Sequence, residues 1–282
     1  MFRLPFSGPD YCVQFLHKEG VLSSLHDILL YVQQAPEGGF LFPGLIRFFG
    51  HLARLHPFDC CKQYPRFLSS VCDLAVHWMS VEDKSRLLAF DTLSLLGSTP
   101  EGKLQVLGRE REGMKKIMSC WGLAIQNGPL DIRVRHIEAL SDLLSVSEES
   151  QRQQPEQLQI TEEWFHWLSS DSTGLCFKLF QQPFPELHRA SGRLFKVLAA
   201  QPWGRKLMAQ QPGFLEYLLN RETEHEMEGR YVKYEIVEAL IGDDWQRLRG
   251  TFEDPDILKL REYHRQGAFY AKAQTEVALE EG

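Results

Sequence analysis

The stretch nearest to a nucleotide-binding motif is Gly97-Ser98-Thr99-Pro100-Glu101-Gly102-Lys103-Leu104. A phosphate-cradling G-x-x-x-x-G-K loop needs a Ser or Thr after the lysine to hold Mg²⁺, and a strand feeding it. Leu104 stands in the hydroxyl position, and a helical run from Ser85 to Leu96 precedes the loop. Pro100-Glu101-Gly102 also has a counterpart in Pro202-Trp203-Gly204, which points to a turn between repeats. The second grouping with ligand-type side chains is His51, His56, Cys60 and Cys61. Five residues apart on a helix, the two histidines diverge by about 140° and do not share a metal. His51 is expected on an exposed flank and His56 near a helix end. Glu222, Glu224, Glu226 and Glu228 surround His225 as in a solvated turn, and Trp164, Phe165 and Trp167 are expected to fill core. The sequence contains no G-x-S-x-G elbow and no H-E-x-x-H pair. Neither an enzyme nor a bound cofactor or metal is expected.

The elements behind these groups belong to a globular chain. It has 282 residues, 43% hydrophobic and 24% charged, with 31 Lys+Arg against 38 Asp+Glu and a net charge of −7. That composition excludes a disordered chain, and the acidic balance argues against a nucleic-acid partner. No apolar run approaches a membrane span, so no membrane partner is expected. The start, MFRLPFSGPDYC, does not read as a secretory signal. The six cysteines form no C-x-x-C pair. They read as reduced thiols, which places the protein in the cytoplasm or nucleus.

Apolar residues three and four apart dominate, as in Val21-Leu22-Leu25-Ile28-Leu29-Val32 and Ile137-Leu140-Leu143-Leu144. Asn127-Gly128-Pro129 reads as a helix stop. The fold class is therefore all-α. One helix type recurs and ends at Leu55, Leu96, Leu144, Leu198 and Leu240, with spacings of 41, 48, 54 and 42 residues. HEAT and armadillo units have periods of about 40–47 residues. The longest gap contains the polar run Ser147–Pro155, expected to be a mobile loop. Residues 42–54 and 184–196 share the pattern F-P-x-L-x-R-x-x-G-x-L-x-[RK]. On a helical wheel Leu45, Phe48, Phe49, Leu52 and Leu55 fall on one side, as do Leu187, Ala190, Leu194, Val197 and Leu198. Such helix pairs bury their apolar faces only by stacking, which predicts an armadillo/HEAT-like α-solenoid, a right-handed superhelix. The repeat domain is expected over residues 1–267, with a flexible tail over 268–282.

Away from the core, the matched helices carry Arg47, Gly50 and Arg54, then Arg189, Gly192 and Lys196. The helix starting near Asp131 adds Arg135 and Asp142. A basic ladder with glycine gaps suits an acidic partner approaching closely, and an apolar anchor is still required for affinity.

Several segments resemble the 26S proteasome non-ATPase regulatory subunit five family. They are FPGLIRFFGHLA (42–53), QPFPELHRASGRLF (182–195), QPWGRKLM (201–208), PGFLEY (212–217), KYEIVEAL (233–240) and LREYHRQGAFYAK (260–272). The resemblance covers most of the chain, corresponds to roughly the carboxyl-terminal half of family chains, and involves no catalytic motif. It implies an assembly chaperone of the proteasome regulatory particle base. Such a chaperone binds a base ATPase subunit and its associated non-ATPase regulatory subunits, and leaves before the particle matures. The dileucine pairs known in that family correspond to Leu29-Leu30, Leu87-Leu88, Leu95-Leu96, Leu143-Leu144 and Leu218-Leu219. If the chain starts at an inner repeat, Phe2, Leu4, Phe6, Phe15 and Leu16 have no preceding unit to cover them. A different solenoid adaptor, for transport or ubiquitin ligation, is the alternative.

Overall fold

The structure is a computed structural model that describes residues 9–34, 40–77, 83–224 and 226–270. The chain opens with α1 (Pro9–Lys18), α2 (Val21–Gln34), α3 (Leu41–Leu55), α4 (Pro57–Gln63), α5 (Pro65–Val76) and α6 (Asp83–Gly97). One π-helical turn, Gly102–Val106, leads to α7 (Arg111–Asn127) and α8 (Leu130–Leu144). Then come α9 (Glu148–Gln153), α10 (Glu156–His166), α11 (Ser172–Phe180), α12 (Pro185–Ala199) and α13 (Pro202–Gln210). The chain closes with α14 (Phe214–Leu219), α15 (Met227–Ile241) and α16 (Asp254–Gln266). Proline opens α4, α5, α12 and α13, where a missing N–H costs nothing.

Two layers form an α-solenoid. Helices α3, α6, α8, α12 and α15 lie side by side as a ladder, and each packs against a flanking helix from α2, α5, α7, α11 or α16. All five ladder helices are 15 residues long and end at, or one residue after, the leucines that set the repeat. Leu96, Leu144, Leu198 and Leu240 are buried. Leu55 is the exception, 49% exposed, while Ile46 and Ala53 are buried instead. The buried stripe of α3 is thus rotated from the expected one, because α3 turns Gly50 toward Thr92 and Leu95 of α6. In the second copy Leu187, Ala190, Leu194 and Leu198 are buried as expected, with Val197 packed at the core edge. The buried apolar cluster runs continuously from Leu22 to Tyr263. Each fully buried large side chain in it contributes roughly 1.5–3 kcal/mol. Each dileucine pair places at least one leucine in this core.

Basic side chains terminate three of the five ladder helices, α8, α12 and α15. The Lys103 Nζ donates to the carbonyls of Leu143 (2.5 Å) and Ser145 (3.1 Å) at the end of α8. The Arg205 Nη1 donates to Ala199 (3.0 Å) and Ala200 (3.2 Å) after α12, and Arg247 donates to Leu240 (2.9 Å) and Ala239 in α15. At a helix carboxyl end, orphan carbonyls and the macrodipole both favour positive charge. Arg221 does the same for α16, donating to Gly267 (2.7 Å) and Ala268 (3.0 Å). Ala268 is buried; residues 271–282 of the expected tail lie outside the described residues, as do Phe2, Leu4 and Phe6.

Lys103 is 1% exposed, and burial lowers its pKa to about 7. An unfolded lysine titrates near 10.4, so between about pH 7 and 10 the unfolded chain binds the extra proton. This group alone therefore makes the fold more stable as pH rises through that window. The stability of the parent chain relative to Lys103→Met should rise by about 1 kcal/mol per pH unit there. Urea unfolding at pH 7 and pH 9 measures it, and a parent chain that loses stability relative to the variant over that range would refute the assignment.

The polar run after Ser145 is not a loop. Residues 148–153 form α9, capped by the Ser147 hydroxyl, which accepts from the Ser150 N–H at 3.1 Å. Gln151 ties it to the carbonyls of Val146 (3.0 Å) and Ala200 (3.4 Å).

Candidate partner-binding surface

The ladder brings most of the expected site residues onto one face. Arg47 and Arg54 are exposed on α3, and Arg54 makes no ion pair among the described residues. Arg135 on α8 pairs with Asp91 on α6 at 3.1 Å and with Glu138 at 3.8 Å. Burial raises the Asp91 pKa, with Arg135 and Arg47 opposing. Asp142 accepts from Arg193 of α12, while Arg189 and Lys196 reach forward to Glu228 (2.8 Å) and Glu235 (2.6 Å) of α15. The ladder is therefore neither simply basic nor free: carboxylates of adjacent helices match most of its cations. At such exposure each pair contributes about 0–1 kcal/mol.

The expected glycine gaps are corrected. Gly50 and Gly192 are buried between ladder helices. A Cβ at Gly50 would lie 3.2 Å from Thr92 Cγ2, and one at Gly192 would lie 2.1 Å from Val232 Cγ1. These glycines let α3 approach α6 and α12 approach α15, so no partner can occupy the space.

Two grooves line the face. The first, about 620 Å³, runs from Arg54 across Asp91, Arg135, Glu138 and Asp142 to Arg193. The second, about 840 Å³, lies between α12 and α15 and shares Ser145, Val146 and Arg193 with the first. Its floor is Val197, Ala200, Val232 and Ala239. Its open wall is Met227 (68% exposed), Tyr231 (49%) and Phe269 (52%). Sequence reasoning left the apolar anchor unplaced. Its one local trace is the i, i+4 pair Met227–Tyr231 on the polar side of α15; Phe269 arrives only through the fold.

The groups with chemical potential are held structurally. Lys103 of the nucleotide-like loop is buried against α8. His51 is exposed, His56 sits between α3 and α4, and Cys60 and Cys61 are buried, with burial raising both thiols and Cys61 to about 12. Among the described residues no three His, Cys, Asp or Glu side chains are grouped to hold a metal. Trp164 and Phe165 are core, and Trp167 packs at its edge. The acidic run departs from a solvated turn at Glu224, whose side chain is only 12% exposed and pairs with buried Lys233 at 3.1 Å; His225 lies outside the described residues. No described helix is long and apolar enough to cross a membrane.

Stacked helix pairs, a ladder face and a continuous trough define a helical-repeat protein of the α-solenoid class. A family model described as proteasome non-ATPase 26S subunit matches residues 10–282, and the chain belongs to that family. It is 35% identical over 269 residues to the 26S proteasome non-ATPase regulatory subunit 5 of Homo sapiens, covering 95% of this chain and 52% of that protein. With the protein of the same name from Drosophila melanogaster it shares 22% over 279 residues, 98% of this chain and 53% of the relative. The chain thus spans about half the length of the curated relatives it matches. Two crystal structures of engineered proteins share the fold. One has a TM-score of 0.52 at 14% identity, covering 86% of this chain and 94% of its own. The other has a TM-score of 0.51 at 15% identity, covering 92% and 61%.

Proposed function

We propose that the chain is a non-enzymatic assembly chaperone of the 26S proteasome regulatory particle base. It holds an ATPase subunit of the base, with its associated non-ATPase regulatory subunits, against the ladder face and leaves before the particle matures. The proposed setting is the cytoplasm or nucleus. The observation that carries the reading is the family match along residues 10–282 on a solenoid whose ladder offers one continuous trough. A partner bound only to that face stabilises an assembly intermediate by mass action and blocks other parts from docking there.

The test is co-purification with individual base ATPases at micromolar concentration in low salt. At least one should be retained, and Arg47→Glu with Arg54→Glu should weaken retention through the on-rate while leaving the melting temperature nearly unchanged. Reversing Arg189 or Lys196 is a poorer probe, since it would face Glu228 or Glu235 with like charge. Failure to retain any ATPase would refute the reading, and an unbiased capture dominated by transport cargo receptors or ubiquitin-ligase subunits would favour the adaptor alternative.

A further inference from the structure

We infer that the groove between α12 and α15 is the anchor site of the ladder face, and that it takes an uncharged apolar ridge of a partner α-helix. The inference rests on the proposed partner-binding role and specifies which chemistry does the holding.

The wall and floor give the first argument. Met227, Tyr231, Glu235 and Ala239 follow one another at four-residue steps along α15, so three of the four residues on its groove stripe are apolar. Met227 and Tyr231 are among the exposed large hydrophobic residues, and so is Phe269, which lines the same groove. Exposed aromatic and Met side chains around a recessed apolar floor are the composition of an interface hot spot, not of an ordinary solvated surface. The floor is shallow for a physical reason: Gly192 lets Val232 sit against α12, leaving a furrow between two packed helices. A third helix fits such a furrow by laying its i, i+4 ridge along it. The 15 residues of α15 offer about 22 Å of furrow, four turns of a partner helix.

Charge balance gives the second argument and decides the partner's chemistry. The charged residues lining both grooves are Arg54, Arg135, Arg189, Arg193 and Lys196 against Asp91, Glu138, Asp142, Glu228 and Glu235. Five cations meet five carboxylates, and Arg135, Arg189, Arg193 and Lys196 are already paired to carboxylates of adjacent helices. An acidic helix would have to break those pairs to gain new ones. An apolar ridge leaves them intact at the rim, where they exclude water from the contact. Continuity gives the third: Ser145, Val146 and Arg193 belong to both grooves, so a partner lying in the polar trough reaches the apolar one without leaving the surface.

The probe is a labelled 15-residue helical peptide of Ala and Gln with Leu at positions i, i+4, i+7 and i+11. Controls carry Ser for Leu, or Glu for the flanking Gln. The full chain should bind the Leu peptide, and Met227→Ser with Tyr231→Ser should weaken binding at least tenfold. Raising NaCl from 50 to 500 mM should change affinity less than twofold, and the Glu-flanked peptide should bind no better. Both replaced side chains are largely exposed, so an unchanged melting temperature checks that the variant is folded. Equal binding of Leu and Ser peptides, no binding, or a tenfold salt effect would overturn the inference. A homodimer dispersed by Tyr231→Ser would assign the groove to a second copy and overturn it too. So would peptide binding seen only after removal of residues 271–282. ATPase capture separates this inference from the proposed function. Retention lost on Arg47 and Arg54 reversal but untouched by the Met227 and Tyr231 changes leaves the function standing and removes the anchor. With no ATPase retained, the function falls while the peptide result still decides the groove.

Discussion

Replacing Gly204 with Ala should destabilise the chain by about 1–3 kcal/mol or more, although Ala ordinarily favours a helix by up to about 1 kcal/mol over Gly. Gly204 lies in the first turn of α13, where a Cβ would stand 2.1 Å from the carbonyl oxygen of Leu198 and 2.6 Å from its carbon. The obstacle is backbone at the end of α12, and no side-chain rotation relieves it. Gly102 stands in the same relation to the carbonyl oxygen of Leu96, at 2.0 Å. Gly102→Ala should therefore cost a comparable amount, with the π-helical turn that Gly102 opens absorbing part of it. Gly44 supplies the control: it is helical in α3, has no positive φ, and nothing lies within 4 Å of its Cβ position. Gly44→Ala should stabilise the chain by about 0.5–1 kcal/mol. Urea midpoints of the three variants measure the contrast. If Gly204→Ala is neutral, α12 and α13 are not in close contact at that turn.

That pair of glycines shows why the fold was legible. Pro100-Glu101-Gly102 and Pro202-Trp203-Gly204 match because each starts a turn against the end of a ladder helix, at Leu96 and Leu198. A recurring leucine, a breaker and a close-approach glycine all arise from one local requirement, so one sequence exposes it. Ladder helix ends were readable for the same reason. Features that depend on two distant segments were not. Leu55 is exposed because α3 meets α6 through Gly50, and wheel geometry contains no neighbour. Ser147–Pro155 looks like a loop by composition, yet Ser147 caps a helix that Gln151 fastens to Ala200, 49 residues on. The ladder cations were visible, but their partners Asp91, Glu228 and Glu235 sit on the next helix over, so the face read as basic when it is balanced. The anchor groove needs Tyr231 and Phe269 together, and only the packing of α15 and α16 provides that.

Lys233→Met should cost about 3–5 kcal/mol, because it leaves a buried carboxylate without its cation. Lys233 is fully buried. Its Nζ pairs with Glu224 at 3.1 Å and donates to the carbonyls of Tyr217 (2.7 Å) and Asn220 (3.0 Å) and to the Thr223 hydroxyl (2.5 Å), while lying 3.8 Å from the Tyr217 ring centroid. Burial pushes the lysine pKa down and Glu224 pulls it back up. Removing only the lysine strands Glu224, so Lys233→Met with Glu224→Gln should recover at least half of the loss. The His188 Nδ1–H donates to the Phe180 carbonyl at 2.8 Å, and its Nε2 lies 3.6 Å from Glu224 on the far side of the same network. Additive losses in the double variant would refute the assignment. The consequence for function is positional. This network fastens the connector that delivers Met227 and Glu228 to the start of α15, the wall of the anchor groove. A folded Lys233→Met chain should therefore lose affinity for the Leu peptide even though Lys233 itself lies outside the groove.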